Sequence, residues 1–486
     1  MIEVPHEREQ LFIGGRWTDP AGNEVIEVES PSSGEVFGRV PLPTDADADA
    51  AVGAARTAFD EGPWPHLAPQ ERAAYLTKIA AGLDARGEAM ATTLARELGA
   101  PLELADGLNR SGTASIRASA ALADEIPLDQ RRSAGGDDLR ILREPVGVVL
   151  GIVPWNAPIA LAGQKMGSAL MAGCTLVLKP AIEDPLVAYA LADAVADAGL
   201  PEGVVSILPA DRDVGEHMVR DERVDHVSFT GSSAVGQRIM GICAERIARL
   251  SLELGGKSAA IVLDDADLEE TLPFLVRGGA RNSGQVCVAL TRLLVSRKRH
   301  DEVVGALKEA FEGLVIGNPL DPETQMGPLV SRVQRDRVEE YLRVGREEGA
   351  TVVTGGGRPA GCEDGWFVEP TIFDDVAPGM RIAQEEIFGP VVAVITYEDE
   401  DDAVRIANDS RYGLSGSIFS TDVDRAVELA RRVRTGTLAI NGAGPNTIEP
   451  IGGFKRSGLG RECGLEGILE LMEIKQVKLP RTAVPA

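Results

Sequence analysis

Cysteine and histidine are scarce in this chain of 486 residues, which has five of each. The cysteine count is odd and no CxxC pair occurs, so neither a disulfide framework nor a zinc knuckle is expected. The histidines lie far apart and show no HxxxH or HExxH spacing, so we predict no metal site. Few cysteines without a pairing pattern favour a reducing compartment, and we expect a cytoplasmic protein.

Long apolar runs and basic residues are also in short supply. The longest apolar run, around residues 146–153, has the length of a buried strand and falls short of the roughly 20 residues of a membrane helix. The N-terminal stretch is charged and does not resemble a signal peptide. With 49 basic and 75 acidic residues, the net charge of −26 opposes binding to nucleic acids and anionic membranes. We therefore expect neither of these partners.

Alternating strand-like and helix-like segments are what the chain has in abundance. The first 125 residues are mainly helical in pattern, in the stretches 45–60, 68–98 and 103–125. From residue 146 onwards, short apolar strands alternate with helices, and residues 251–263 are interpreted as the start of a second such unit. This alternation predicts an α/β fold with parallel sheets, which bind ligands at the carboxyl ends of their strands.

Two features of the first α/β unit suit a nucleotide. In SFTGSSAVG, Gly231 and Ser232 form the turn after an apolar strand and Gly236 lies in the first turns of a helix, where free amides and the helix dipole favour a phosphate. An ordinary strand–helix turn is the alternative. Lys179, at the end of the strand CTLVLKP, can bind a ribose or balance phosphate charge, or can be a solvated surface lysine. The segment GGGRPA at 355–360 is close to GxGxxG, but its proline opposes the helix which that motif requires, so we interpret it as a loop.

Three residues are candidates for covalent chemistry. Cys287 follows the polar segment Asn-Ser-Gly-Gln-Val, in which Gly284 allows the backbone to approach a substrate closely. A free cysteine is more often a small core residue, but this lead-in is unlike an apolar strand. Glu253 is a lone acid in an apolar run, where burial would raise its pKa towards the range of a general base; a strand-end carboxylate bonded to amides is the alternative. Asn156, after Pro-Trp, can donate to an oxyanion or simply form a turn.

Taken together, these segments resemble the aldehyde dehydrogenase superfamily over essentially the whole chain. Glu253 and Cys287 are 34 positions apart, as the pattern of that family requires. The matching motifs, all in family order, are LFIGGRW near the start, REPVGV (143–148), PWN (154–156), KPA (179–181), FTGS (229–232), LELGGK (252–257), GQVC (284–287), EEIFGP (385–390) and GGFKRSGLGRE (452–462).

The resemblance implies a covalent mechanism. Cys287, as thiolate, would attack the aldehyde carbonyl, while the Asn156 side chain and the Cys287 backbone N–H hold the oxyanion. Hydride would pass to a nicotinamide, leaving a thioester that is hydrolysed by water activated by Glu253. Lys165 matches a lysine that assists proton relay. A CoA-acylating member is the alternative, which the presence of Glu253 disfavours; a non-catalytic use of the fold is disfavoured because all three catalytic candidates are retained.

The same resemblance implies an NAD(P) site. In many members an acid after Lys-Pro binds the adenine ribose; here Ile182 takes that place and Glu183 follows, so we favour NAD and leave NADP open. The adenosine-ribose and pyrophosphate half would contact Ile152, Trp155, Lys179, Gly231 and Ser232. Glu386 and Phe388 would hold the nicotinamide ribose. Pro154, Gly236, Leu254 and Gly255 are further expected cofactor contacts.

Small side chains imply a roomy substrate pocket. Ala157, Ala160 and Gln164 lie on the helix after PWN, where bulky residues often line the entry tunnel, and Val286 and Val288 flank the thiol. Ile451 replaces a frequent phenylalanine. Arg281 matches the arginine with which succinic-semialdehyde-type members bind a substrate carboxylate. A bidentate pair of guanidinium and carboxylate would be physically reasonable there. A surface salt bridge is the alternative, and we favour it.

The family fold implies three parts. A Rossmann-like cofactor domain would comprise residues 1–125 and 146–254, and an α/β catalytic domain residues 255–455. A small β arm would be formed by residues 126–145 and 470–486. This arm would assemble a homodimer or homotetramer by sheet extension, which fits the strand-like segment EIKQVKLP with no local partner.

Overall fold

The structure, a computed structural model, describes residues 3–135 and 137–480. Its α-helices are α1 (Asp45–Asp60), α2 (Pro69–Asp84), α3 (Gly87–Leu98), α4 (Leu102–Ala121), α5 (Pro158–Ala172), α6 (Pro185–Ala198), α7 (Arg212–Arg220), α8 (Ser233–Arg246), α9 (Leu268–Ala280), α10 (His300–Glu312), α11 (Arg332–Glu347), α12 (Arg381–Gln384), α13 (Glu400–Asn408), α14 (Val423–Ala430) and α15 (Gly464–Glu470).

The strands form two large sheets and two small ones. They are β1 (Leu11–Ile13), β2 (Arg16–Thr18), β3 (Val25–Glu29), β4 (Val36–Pro41), β5 (Asp129–Ala134), β6 (Asp137–Pro145), β7 (Val148–Ile152), β8 (Thr175–Lys179), β9 (Val205–Ile207), β10 (His226–Thr230), β11 (Arg249–Glu253), β12 (Ala259–Val262), β13 (Arg292–Ser296), β14 (Thr351–Thr354), β15 (Thr371–Asp374), β16 (Val391–Tyr397), β17 (Gly416–Phe419), β18 (Ala439–Ile440), β19 (Gly458–Leu459) and β20 (Met472–Lys478).

The first large sheet has the order β19-β11-β10-β7-β8-β9-β1-β2, and its five central strands are parallel. Every residue of β7, β8 and β10 is buried, as expected for a parallel sheet with both faces covered. The predicted α/β class is confirmed.

The helical stretches also form as the sequence predicts. Thr44 caps α1 through a capping box with Asp47, whose carboxylate accepts from the Thr44 N–H at 2.8 Å. Residues 68–98 form two helices, α2 and α3, separated at residues 85–86. The short amphipathic helix α7, capped by Asp211, was not predicted.

The second large sheet has the order β14-β15-β16-β13-β12-β17-β18. Interpreting residues 251–263 as one unit is wrong, because β11 lies in the first sheet, where Glu253 pairs with Thr230 of β10. Only β12 belongs to the second sheet. The chain crosses between the sheets at residues 254–258, so Glu253 lies at their junction.

The third sheet, β20-β6-β5, joins distant parts of the chain. Strand β20 pairs antiparallel with β6 over seven positions, from Met472 opposite Pro145 to Lys478 opposite Leu139. The segment EIKQVKLP therefore finds its partner about 330 positions earlier. The segment GGGRPA lies in the loop between β14 and β15, as predicted.

Candidate active site

The predicted catalytic residues come from the carboxyl ends of strands in the first sheet and from a loop of the second half. Glu253 is the last residue of β11, and Asn156 follows shortly after β7; these strands flank β10. Cys287 lies in an irregular segment after a 3-10 turn at Arg281–Gly284. The fold therefore brings a strand edge, where parallel sheets bind ligands, against the cysteine loop.

The backbone of the cysteine loop is unusual. Asn282 and Ser283 have positive φ angles of 51° and 54°, and Gly284 has a φ of 71°. A Cβ atom on Gly284 would lie 2.0 Å from the carbonyl oxygen of Gly389. Gly284 therefore allows close approach of the main chain after α12, and its role in admitting a substrate stays a prediction.

A network of buried amides holds the cysteine loop against Asn156. The Asn156 Nδ2 donates to the Gln285 carbonyl at 3.0 Å, and the Asn282 Nδ2 donates to the Asn156 carbonyl at 3.0 Å. Gln285 donates to the Asn282 carbonyl and accepts from the Val330 N–H at 2.9 Å. One of the two N–H bonds of the Asn156 amide remains for a ligand. Asn282 and Gln285 belong to the polar segment before Cys287, but the sequence predicted no role for either.

Cys287 is a half-buried residue. Burial, followed by the carboxylates of Glu386 and Glu253, raises its pKa to about 12. The main-chain N–H groups of Val288 and Cys287 act in the opposite direction, because they donate towards the sulfur. At neutral pH this thiol is protonated, so its use as a nucleophile requires a proton acceptor.

Glu253 is one of the two carboxylates whose charge raises the pKa of this thiol. It is 8% exposed, and its Oε1 finds no hydrogen-bond partner within residues 3–135 and 137–480. Burial, followed by Glu462, raises the pKa of Glu253, while Lys165, Arg461 and the Gly453 N–H lower it. The alternative of a strand-end carboxylate bonded to amides holds only in part. A carboxyl group with a raised pKa and a free oxygen is suited to general-base chemistry.

Lys165 belongs to a buried ion pair. Its Nζ lies 2.6 Å from Glu462 Oε1 and 2.9 Å from Ser228 Oγ, and Ser228 donates to the same Glu462 oxygen at 2.7 Å. Both charged side chains are nearly inaccessible. The charge of Glu462 raises the pKa of Glu253. The sequence did not identify Glu462 as a site residue, although it ends the motif GGFKRSGLGRE. An acid that closes a motif of glycines and cations was the available signal.

The turn after β10 differs from the prediction in one respect. The Gly231 N–H donates to the Glu253 carbonyl at 3.0 Å, so it is not a free amide for a phosphate. Ser232 caps α8, its Oγ accepting from the Val235 N–H at 3.4 Å. Gly236 lies against Leu254, whose side chain would be 2.6 Å from an added Cβ.

Lys179 ends β8 and is 9% exposed, so its interpretation as a solvated surface lysine is wrong. Burial lowers its pKa to about 8, while Glu183, Asp211 and Asp184 act to raise it. Ile182 is 37% exposed. The lysine thus stands in an acidic surrounding at the carboxyl edge of the first sheet.

Other predicted cofactor residues meet at the sheet junction. The Glu386 carboxylate accepts from the Gly256 N–H at 3.0 Å, and its other oxygen would lie 2.2 Å from a Cβ on Gly255. Burial raises the pKa of Glu386 to about 7. The rings of Trp155 and Phe388 meet edge to face at 5.5 Å. Ile152 is the last residue of β7 and Pro154 follows two positions later.

The predicted substrate residues fall into two groups. Ala157, Val286, Val288 and Ile451 are partly exposed, whereas Ala160 and Gln164 are buried. Gln164 lines a small internal polar cavity with Lys165 and Glu462. Arg281 is exposed, and no carboxylate of the described chain forms an ion pair with it. The favoured interpretation of Arg281 as half of a surface salt bridge is therefore wrong.

Two features are absent from the described residues, a metal-binding cluster and a membrane-spanning helix. No group of three or more His, Cys, Asp or Glu side chains there is arranged to hold a metal ion. No helix there has both the length and the apolar character needed to cross a membrane.

Comparison with known proteins identifies the family. The sequence profile of the aldehyde dehydrogenase family matches residues 17–477. This chain belongs to that family. The aldehyde dehydrogenase described here is 44% identical to a geranial dehydrogenase of Castellaniella defragrans, over 97% of this chain and 99% of the relative.

Solved structures of the family agree in fold. An aldehyde dehydrogenase of Mycobacterium tuberculosis, complexed with NAD+, superposes with a TM-score of 0.97 and 46% identity, covering 99% of both chains. A betaine aldehyde dehydrogenase of Staphylococcus aureus, also with NAD+, gives a TM-score of 0.95 and 36% identity, covering 98% of this chain and 95% of the other. The predicted family and fold are thereby confirmed.

Proposed function

We propose that this aldehyde dehydrogenase oxidises an aldehyde to the carboxylic acid through a thioester on Cys287, with NAD as hydride acceptor. The observation that carries the proposal is the junction of the two sheets, where a half-buried cysteine, a buried carboxyl group with an oxygen that no described residue bonds, and a spare amide N–H come together. Acyl transfer through a covalent intermediate needs these three groups.

The residues present fit a nicotinamide dinucleotide. Glu386 has one oxygen on the Gly256 N–H and the other close to Gly255, where any side chain would collide with it. Lys179, buried at the sheet edge, supplies a cation for the ribose or phosphates. When bound, the dinucleotide supplies the hydride acceptor. We propose that Ile152, Pro154, Trp155, Lys179, Gly231, Ser232, Gly236, Leu254, Gly255, Glu386 and Phe388 hold it.

The acidic surrounding of Lys179 supports NAD over NADP. Glu183, Asp211 and Asp184 all act electrostatically on this lysine. A second phosphate on the adenine ribose would bring further negative charge beside these carboxylates, which disfavours it. NADP remains the second cofactor to test, because Ile182 stands where the ribose-binding acid of many members is found.

The chain's own residues divide the work between two steps. In the first, the Cys287 thiol releases its proton to solvent water and the sulfur bonds to the aldehyde carbon, while the Asn156 N–H and the Cys287 main-chain N–H stabilise the oxyanion. Loss of hydride leaves a thioester on the sulfur. In the second step Glu253 takes a proton from water, whose oxygen attacks the thioester carbonyl. The C–S bond breaks, the carboxylic acid leaves, and the proton on Glu253 passes to the sulfur and restores the thiol. We propose that Lys165, whose charge acts on Glu253, assists this proton relay.

Three further assignments accompany this function. We propose that residues 1–125 and 146–254 bind the cofactor and that residues 255–455 carry the catalytic half. The sheet β20-β6-β5, part of the arm predicted at 126–145 and 470–486, would join subunits into a dimer or tetramer, because within the described residues its outer strands β20 and β5 each have one edge without a neighbouring strand. Residues 136 and 481–486 of this arm lie outside the described residues. We also propose a cytoplasmic location.

The test follows absorbance of the reduced cofactor with aliphatic, aromatic, terpenoid and acid-semialdehyde substrates, with and without CoA. We expect turnover without CoA, and the terpenoid panel includes geranial because of the Castellaniella relative. Turnover only with CoA would favour the acylating alternative, and none with any aldehyde and either cofactor would refute the proposal.

Two variants test the roles. Cys287→Ala should abolish hydride transfer, and retained activity would show that the nucleophile is another group. Glu253→Gln should keep a burst of reduced cofactor but turn over slowly, because acylation survives and hydrolysis does not. Loss of the burst itself would assign Glu253 to activation of the thiol.

A further inference from the structure

A small polar cavity lies in the second sheet, apart from the thiol. It is found at the amino ends of β12 and β17, beside Arg292, the first residue of β13. Its volume is about 20 Å³. Since one water needs roughly 10–15 Å³ on this scale, the cavity has room for one or two waters or for one small ion.

Two buried cations border this cavity. Lys257 is 2% exposed, and its Nζ has no hydrogen-bond partner among the described residues. Arg292 is 3% exposed and donates to the main-chain carbonyls of Lys257, Ile406 and Ala407 at 2.8–2.9 Å. Within the chain that the structure describes, neither cation forms an ion pair with a carboxylate. A buried charge without a partner costs free energy, so an anion in this cavity would stabilise the two cations.

The hydroxyl groups that line this cavity also lack hydrogen-bond partners among the described residues. The hydroxyl oxygens of Ser258, Ser415, Ser417 and Thr435 are buried, and none finds a partner elsewhere in residues 3–135 and 137–480. Buried polar atoms without partners are rare, and here five of them, counting the ammonium, border one space. An ammonium only donates, and hydroxyls can do so, so a group that only accepts would satisfy the whole set.

Neighbouring charged groups both raise and lower the pKa of Lys257. Burial, followed by the positive charge of Arg292, lowers the pKa of Lys257 to about 7, while the carboxylates of Glu386 and Glu385 act to raise it. A bound anion would therefore favour the protonated lysine. It would also stabilise the segment 255–258, whose Gly256 N–H holds Glu386.

We propose that this cavity binds a single halide ion, chloride under ordinary conditions, held by Lys257 and the surrounding hydroxyls. A halide ion is similar in size to one water molecule, which this cavity has room for. The site goes beyond the proposed oxidation of aldehydes, and its tests do not depend on turnover.

Crystals of the full chain grown in sodium bromide give the direct test. Anomalous scattering at the bromine edge should show a peak in contact with the Lys257 Nζ and the Ser417 hydroxyl. A cavity without an anomalous peak, filled by water alone, would overturn the proposal.

Thermal unfolding in solution gives an independent test. Sodium chloride, bromide and gluconate are compared at equal ionic strength, and we expect the midpoint to rise saturably with the two halides only, since a ligand bound to the native state stabilises it. Equal midpoints in all three salts would contradict the site.

Three variants localise the effect. Lys257→Met should lose the halide response, whereas Lys298→Met, at an exposed lysine, should keep it. Ser417→Ala removes only an unpartnered hydroxyl and should fold even if Lys257→Met does not. It should raise the halide concentration for the half-maximal effect by about tenfold, the value of one hydrogen bond to a charge. A response unchanged in Ser417→Ala and in any folded Lys257→Met would place the halide effect elsewhere.

Discussion

Replacing Lys165 with methionine should destabilise the protein and change the pH dependence of thioester hydrolysis. Its Nζ is 2.6 Å from Glu462 Oε1, with both groups buried. At an effective dielectric constant near 20, their attraction is about 6 kcal/mol, much of it offset by desolvation. Removing the lysine leaves Glu462 as a buried charge, which typically costs roughly 3–5 kcal/mol.

The same substitution acts on the proposed base. Lys165 lowers the pKa of Glu253, so its removal should raise that pKa further. A base works only when deprotonated, so the acidic limb of the pH profile should move to higher pH. The steady-state rate across the pH range measures this effect, and the denaturant midpoint measures the loss of stability.

Two controls separate charge from packing. In Lys165→Met with Glu462→Gln, the uncompensated charge is gone, and Glu462 no longer raises the pKa of Glu253. We expect this double variant to recover most of the stability and of the original pH limb. Lys298→Met breaks an exposed pair with Asp264 and should cost less than about 1 kcal/mol. Equal stability of Lys165→Met and Lys298→Met, or a double variant no better than Lys165→Met, would refute the reasoning.

Three other changes test the site and its support. Gly284→Ala should displace the cysteine loop from Gly389 and reduce thiol labelling and activity together; wild-type labelling would contradict the contact. Asn156→Ala should lower kcat by about 10²–10³ with little change in KM, whereas a pure KM effect would remove it from the oxyanion site. Burial raises the pKa of Glu97 to about 8, so the native state binds its proton more tightly. Stability should therefore fall from about pH 5 to 8, by up to about 1.4 kcal/mol per pH unit, and Glu97→Gln should flatten that fall in urea titrations; an unchanged slope would contradict it.

The sequence predicted the alternation of strands and helices because each element is specified by residues that are close to one another in the chain. Capping residues such as Thr44 and short buried runs such as β7 and β8 specify their elements through neighbouring residues. The order of motifs, with Glu253 and Cys287 at a fixed separation, was enough to indicate the family. The net charge and the short apolar runs argued against nucleic-acid and membrane partners, because both can be read directly from the sequence.

The roles of single side chains depended on contacts between distant segments. The sequence left Lys179 open as a cofactor residue or a solvated surface lysine, and only its burial beside the sheet ruled out the second. Gly284 was predicted to admit a substrate, and only the tertiary structure showed its packing against Gly389, more than 100 positions away. Glu462 went unassigned because its effect on Glu253 arises only when the end of the chain returns to the first sheet.

By itself, the sequence determined the fold class, the family and the identity of the nucleophile and base candidates, because periodicity and motif order are properties of neighbouring residues. Tertiary structure alone decided which charges are buried and what neutralises them. Lys165 acquires Glu462, whereas Lys257 remains without a carboxylate partner in the described chain. Burial and pairing are set by segments that meet only on folding, and these set the pKa values on which the proposed chemistry depends.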